Sequence, residues 1–285
     1  MTKTYNEVYI KARRALKDAG IEPYGLEARL IVAGAAGKTQ AALMRDLPLY
    51  CSGGLEDTVD KLIERRLTGE PVAYLTNCCE FYGVSLMVNR DVLIPRPETE
   101  MVVKAAVELF SSRNGTPRIL DLCTGSGCIG CALSVQMPGA HLVMVDNDAA
   151  ALRVCRENVL RSNLGLRAMC IEADATKKPP MLLGSFDLLV CNAPYIPTAE
   201  IETLDASVKD YEPYHALDGG EDGLNIIRPV VSLWKSVLKS RGTIMLEVGE
   251  RQAGIVLQLL AAAGFTRRGA LKDTRGTDRV VIGQF

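Results

Sequence analysis

Aromatic side chains are scarce in this 285-residue chain, at 5% of residues with Trp234 the single tryptophan, and histidine occurs only at positions 141 and 215. So few histidines leave little material for an imidazole-rich metal centre. Charge of either sign is not in excess, since 33 Lys plus Arg face 34 Asp plus Glu for a net charge of -1. Residues 1 to 70 hold 11 basic and 10 acidic side chains, so no segment is a basic arm suited to displacing counterions from nucleic acid. No apolar run approaches the roughly 18 to 20 residues needed to cross a bilayer. No secretory leader precedes the cysteines, so a cytoplasmic location is expected and no membrane partner. Cysteine, by contrast, is plentiful: nine residues, an odd number, mostly inside apolar runs. They are expected to be reduced and structural. Cys128-x-x-Cys131 lacks a second pair at zinc spacing, so no metal is expected there. With 48% hydrophobic and 24% charged residues the chain is globular rather than disordered. Its length points to about two domains.

The first 70 residues carry helical periodicity. Tyr5, Val8, Ala12, Leu16 and Ala19 recur at steps of three and four, as do Leu55, Val59, Leu62, Ile63 and Leu67. Between them, Leu26 to Ala36 reads as a buried helix closed by Gly37. Residues 71–97 change character, with extended segments at Ala73–Leu75, Glu80–Phe81 and Ser85–Val88 and two prolines in Ile94-Pro95-Arg96-Pro97. This predicts a hairpin-type, strand-rich linker. From residue 98, after a helix to about Phe110, short apolar strands alternate with helical patterns. Strands are predicted at 118–122, 141–146, 168–174, 186–192, 243–248 and 279–283, and helices at 129–136, 149–162, 224–239 and 252–263. Apolar strands separated by helices imply an α/β fold, a mostly parallel sheet with helices on both faces. Ligands in such sheets bind at the carboxyl ends of the strands.

The first of these strands runs into Asp121-Leu122-Cys123-Thr124-Gly125-Ser126-Gly127-Cys128-Ile129-Gly130, which contains G-x-G-x-x-G, and Asp146 follows the first glycine by 21 residues at the next strand's end. Such glycines let backbone approach a ligand, and a carboxylate at that second position accepts hydrogen bonds from ribose hydroxyls. An NAD-dependent oxidoreductase uses the same pattern. Here, however, Asp121 stands beside the loop, where a carboxylate repels a pyrophosphate and favours a cation. S-adenosylmethionine, with its ammonium, sulfonium and ribose, fits that expectation. Asp174, after the third strand, is placed to accept from an adenine amino group or to act as a turn carboxylate.

The fourth strand delivers Asn192-Ala193-Pro194-Tyr195 to the same edge. Methylating a planar amino group requires its hydrogens to find acceptors and its lone pair to be aimed at the methyl. The Asn192 side-chain oxygen and the Ala193 carbonyl can accept those hydrogens. Pro194 stiffens the turn, and Tyr195 offers a flat face for stacking. Asn192 and Tyr195 are thus the expected catalytic pair, and Asn192 to Tyr195 the substrate clamp.

Asp121–Gly127 and Asn192–Tyr195 resemble the signature motifs of class I S-adenosylmethionine-dependent amino-group methyltransferases. Gly69–Tyr74, Glu80–Gly83, Val92–Glu100, Ala216–Leu224 and Glu247-Val248-Gly249 narrow the likeness to the HemK/PrmC family of release factor glutamine methyltransferases. The resemblance implies N5-methylation of the glutamine in the Gly-Gly-Gln motif of peptide chain release factors, with S-adenosylhomocysteine as the product of the cofactor. It implies a helical substrate-recognition domain over residues 1–70, a linker over 71–97 and a Rossmann-like methyltransferase domain over 98–285. In that picture Cys123, Thr124, Gly125, Ser126, Gly127 and Asp146 hold the cofactor and Asn192 lies between cofactor and substrate; Asp121 and Asp174 join the expected cofactor set from their places at the strand ends, and a monomer is expected. Two departures stand out. Ala193 occupies a place where the family usually has proline, which predicts retained chemistry on a looser turn or, in a competing reading, a non-catalytic binding protein. Ala175 replaces an aromatic residue often seen after Asp174, which predicts a weaker adenine contact. A nucleic-acid amino methyltransferase is the other enzymatic alternative, because it clamps a planar amino group in the same way.

Overall fold

In the computed structural model, which describes residues 3–111 and 115–285, the periodicity of the first segment becomes a helical unit. Helices α1 (Tyr5–Asp18), α2 (Tyr24–Ala35), α3 (Gln40–Asp46), α4 (Leu55–Leu67) and α5 (Val72–Thr76) build it. A capping box between Thr4 and Glu7 starts α1. Val8, Ala12 and Leu16 of α1 then pack with Ala28, Ile31 and Val32 of α2 and with Val59 and Ile63 of α4 in one apolar core. Gly37, at φ +61°, follows the end of α2 as expected. The extended segment expected at 73–75 is instead helix α5. Pro71 stands at its N-cap, and burying Tyr74 and Leu75 stabilises the turn. A Cβ on Gly34 would come within 2.9 Å of the Thr76 side chain, so α5 lies close against α2.

The second unit holds a hairpin, β1 (Cys79–Phe81) and β2 (Val84–Leu86), then α6 (Glu100–Phe110), β3 (Arg118–Leu122), α7 (Cys128–Gln136), β4 (His141–Asp146), α8 (Ala149–Arg161), β5 (Ala168–Glu172) and β6 (Phe186–Cys191). After the short α9 (Ala206–Lys209) come α10 (Ile227–Leu233), β7 (Leu238–Glu247), α11 (Ala253–Ala262), β8 (Arg267–Lys272) and β9 (Asp278–Gln284). The first unit comprises the chain to Cys78 plus Asp205–Tyr211, which includes α9, and the second comprises Cys79–Leu204 with Glu212–Phe285. The hairpin and the prolines after it therefore belong to the second unit rather than forming a separate linker. The segment predicted as one helix over 224–239 ends early. After α10 a single tight turn, Trp234–Val237, leads into β7, which begins five residues before the expected strand. β8 escaped the sequence reading because it is an exposed edge strand with charged residues at Arg267, Arg268 and Lys272.

Seven strands form one sheet in the order β5-β4-β3-β6-β7-β9-β8. β3 pairs in parallel with β4 and β6, and β9 is antiparallel to both β7 and β8. Alternation along β3 sends Leu120 and Leu122 to one face of the sheet and Ile119 to the other. Asp121 takes the same face as Ile119 and is buried there. Strand order reverses direction at β3, with β4 on one side and β6 on the other. That is the switch point at which ligands bind in such sheets.

Candidate active site

At that switch point lies a cavity of about 420 Å³ at the carboxyl ends of β3, β4, β5 and β6. Cys123, Thr124, Gly125 and Ser126 line it after β3, Asp146 after β4, Asp174 after β5, and Asn192 and Pro194 after β6. These eight residues, predicted from separate stretches of sequence, share one space. The opposite wall comes from the segment after the hairpin, through Asp91, Val92, Leu93, Pro95, Arg96 and Thr99. Sequence reasoning treated that segment as a linker. Its prolines were the available signal, since they keep the chain extended and free of a helix there. The wall is held by Glu212, a buried carboxylate that accepts from the Ile94 N–H at 3.0 Å and pairs with the Arg96 guanidinium. Burial pushes the Glu212 carboxyl up and Arg96 pulls against that shift. Nothing in the sequence marked Glu212.

The glycine loop is braced on both sides. Asp146 accepts from the Gly125 N–H at 2.8 Å and from the Asp148 N–H at 3.1 Å. Gly125 adopts φ +53° with open space where a Cβ would stand, so bare backbone faces the cavity. Cys123 also takes a left-handed conformation, φ +55°. Its thiol is pushed well up by Cys191 and by burial, which suits a structural thiol.

Two expected loop contacts fall outside the cavity. Asp121 is 1% exposed and lies beneath the loop, where Oδ2 accepts from the Thr124 hydroxyl at 2.6 Å and the Gly130 N–H at 3.1 Å. Because alternation turns its side chain into the sheet face, Asp121 braces the loop rather than lining the ligand space. Burial pushes its carboxyl up to about 7, against those two hydrogen bonds. Gly127 is likewise a packing residue, since a Cβ there would stand 2.7 Å from Met144 Cε and 3.0 Å from Cys155 Sγ. Carboxylates reach the cavity from other residues instead: Asp91, Asp146, Asp148, Glu172 and Asp174 line it, with the Arg96 guanidinium in its wall. Asp148 pairs with His215 at 3.1 Å. Asp174 serves as the turn carboxylate that one reading gave it, at a place where it also lines the cavity. Its Oδ1 accepts from the Thr176 N–H and hydroxyl, which lower its pKa. Ala175 lines the cavity beside it and accepts from the Trp234 indole at 2.9 Å.

The turn after β6 is built differently from its two ends. Asn192 Nδ2 donates to the Thr99 hydroxyl at 3.1 Å, which leaves Oδ1 as that side chain's acceptor. Pro194 joins the wall, whereas the Ala193 side chain, 2% exposed, packs into the core. Tyr195 is the correction to the clamp. Its ring packs against the core outside the cavity lining, and its hydroxyl points to Glu247 Oε1 at 3.4 Å. A flat face for stacking inside the cavity is therefore not what this tyrosine offers. The backbone of Tyr195 and Ile196 is cradled by two glycine-containing segments that sequence reasoning left without a task. Gln252 Nε2 donates to the Tyr195 carbonyl at 2.8 Å, and the Gly219 N–H donates to the Ile196 carbonyl at 2.8 Å. A Cβ on Gly223 would stand 2.1 Å from the Tyr195 carbonyl oxygen, and one on Gly249 would stand 3.2 Å from its ring.

Sheet order, cavity position and loop geometry together define a class I, Rossmann-like methyltransferase. A methyltransferase from Pyrococcus furiosus shares the fold, with a TM-score of 0.52 at 15% identity over 78% of this chain and 96% of that one. Residues 7–76 match the family described as the PrmC N-terminal domain, and residues 103–207 match the methyltransferase small domain. The chain belongs to the release factor glutamine methyltransferase family. It is 39% identical to the release factor glutamine methyltransferase of Caulobacter vibrioides over 99% of this chain and 97% of that protein. It is 35% identical to the one of Geobacter sulfurreducens over 99% and 96%. No helix among the described residues is long and apolar enough to cross a membrane.

Proposed function

We propose that this protein transfers a methyl group from S-adenosylmethionine to the side-chain amide nitrogen, N5, of the glutamine in the Gly-Gly-Gln motif of peptide chain release factors. The observation that carries the reading is the orientation of Asn192. With Nδ2 committed to Thr99, Oδ1 is left to accept a hydrogen from a planar amide at the cavity wall. The Ala193 carbonyl accepts the second hydrogen, a role the backbone keeps whichever side chain it carries. Held this way, the amide nitrogen has its lone pair aimed across the cavity, and the proton leaves after the nitrogen has become cationic, so no strong base is required.

The cavity residues fit the cofactor. Gly125 leaves open backbone, Asp146 retains acceptor positions for ribose hydroxyls, and the acidic lining favours a positively charged ligand. When bound, the cofactor supplies an electrophilic methyl on a sulfonium centre. The helical unit, with its match to the PrmC N-terminal domain, is assigned to recognition of the release factor. A protein substrate presenting glutamine on a loop needs no basic stripe, which agrees with the net charge of -1.

The test is incubation with methyl-labelled S-adenosylmethionine and, in separate reactions, a release factor, the same factor with its Gly-Gly-Gln glutamine replaced by alanine, and tRNA or DNA. Label in the intact factor alone is expected. Label confined to nucleic acid overturns the reading.

A further inference from the structure

The Glu247-Val248-Gly249 segment holds a group that the proposed chemistry leaves unused. Glu247 ends β7 and is 1% exposed. Its Oε1 faces the Tyr195 hydroxyl at 3.4 Å, while Oε2 is buried with no hydrogen-bond partner. Thr99, also 1% exposed, sits between this carboxyl and the cavity. Its hydroxyl oxygen accepts from Asn192 Nδ2, so its own hydrogen is free to turn to another acceptor, and the hydroxyl is among the groups that favour the charged form of Glu247. One carboxyl therefore faces the tyrosine at one end of Asn192-Ala193-Pro194-Tyr195 and acts on the hydroxyl that holds the asparagine at the other.

We propose that Glu247 is a positioning residue for methyl transfer: as a carboxylate it takes the Thr99 and Tyr195 hydroxyl hydrogens, and through Thr99 it fixes which atom of Asn192 faces the substrate. The inference rests on the functional reading above. The direction of the chain is the point. A Thr99 hydroxyl that donates inward must accept from Asn192, so the asparagine presents its oxygen, not its nitrogen, to the amide. A protonated Glu247 can itself donate to Thr99, and the polarity of the chain is lost. The charged groups that act on Glu247 are Arg279 of β9, which favours the carboxylate, and Glu98 of the turn before α6, which opposes it; Tyr195 acts as a donor. Burial outweighs the favourable contacts and brings the carboxyl up to about 7.

Steady-state kinetics of the full chain with a release factor across pH 5.5 to 9 test this. Wild type is expected to lose kcat as pH falls through about 7, where Glu247 gains its proton. Glu247→Gln is expected to lower kcat by about tenfold to a hundredfold, the scale of a lost charge-assisted hydrogen bond. Its acid limb disappears, and KM for the release factor and the cofactor Kd stay close to wild type. The Asp121 carboxyl titrates in the same range, so loss of the limb in Glu247→Gln is what assigns it. Thr99→Val is expected to reproduce the kcat loss and Thr99→Ser to restore activity, which keeps the test decisive if Glu247→Gln folds poorly. Active wild type with wild-type kcat and pH profile in Glu247→Gln, or with full activity in Thr99→Val, overturns the inference alone. Wild type that does not methylate the factor overturns the functional reading, and this one with it.

Discussion

The Gly125 N–H donates to the Asp146 carboxylate at 2.8 Å, so the glycine loop after β3 is tied to the end of β4. The carboxylate that is assigned to ribose also shapes the loop. Asp146→Ala is expected to raise the cofactor Kd by at least about tenfold, because a charge-assisted acceptor and the loop's anchor go together. Asp146→Asn is expected to lose less. Calorimetric titration reads both, and an unchanged Kd for Asp146→Ala counts against the ribose assignment.

Asp121 makes stability depend on pH. Its carboxyl is pushed up to about 7 in the folded protein, against about 3.9 in an unfolded chain. Between those values the folded state keeps a proton that the unfolded state has lost. Its favourable contribution is complete below about pH 4, falls as pH rises, and is gone above about pH 7, a span on the order of 4 kcal/mol. Glu247, pushed up to about 7 by burial, acts in the same direction. Asp121→Asn retains an acceptor for Thr124 and Gly130 and removes the titration. Thermal melts from pH 5 to 8 should show a flatter dependence in the variant, and a slope equal to wild type removes Asp121 from the account.

Asn192→Ala is expected to cost kcat at least about a hundredfold, since the reacting nitrogen loses its orienting acceptor. Cofactor binding should be weakened but measurable. A labelled-methyl assay beside a calorimetric titration separates the two effects. Near-normal turnover would remove Asn192 from the chemistry.

Ala193→Pro asks whether the departure from the family pattern matters. A proline pre-sets the turn and keeps Asn192 extended, so a gain of up to about 1 kcal/mol is expected, read as a higher Tm with kcat retained. The Ala193 side chain packs in the core, so the ring must be accommodated there. If the natural chain proves inactive and the variant active, Ala193 marks a protein that has given up catalysis for binding.

Gly223→Ala and Gly125→Ala should fail in different ways. At Gly223, φ +75°, a Cβ would stand 2.1 Å from the Tyr195 carbonyl oxygen, so the turn must move. A stability loss of about 2 kcal/mol or more is expected in chemical denaturation, with turnover lost. At Gly125, φ +53°, no atom beyond its two chain neighbours lies within 4 Å of the added carbon. The cost there is backbone strain of about 1 kcal/mol, with weaker cofactor binding as the larger effect. Equal denaturation midpoints for the two variants would contradict the cradle.

What the sequence determined by itself were the features written in neighbouring residues. β3 and β4 have the expected limits, because a short apolar run closed by a carboxylate and a glycine or asparagine has one simple reading. The glycine loop, Asp146 and Asn192 were legible for the same reason: spacing along a strand and the turn after it places them at one sheet edge. The tertiary structure decided everything that depends on which side of an element faces what. It turned Asp121 inward beneath the loop and sent the Tyr195 hydroxyl to Glu247. It made a cavity wall from a supposed linker, and it packed α5 against α2 where local pattern suggested a strand. Asn192 and Thr99, 93 residues apart, meet at 3.1 Å. A contact of that kind follows from the order of strands and the burial of polar groups, both of which are energies of the whole fold rather than of any local stretch.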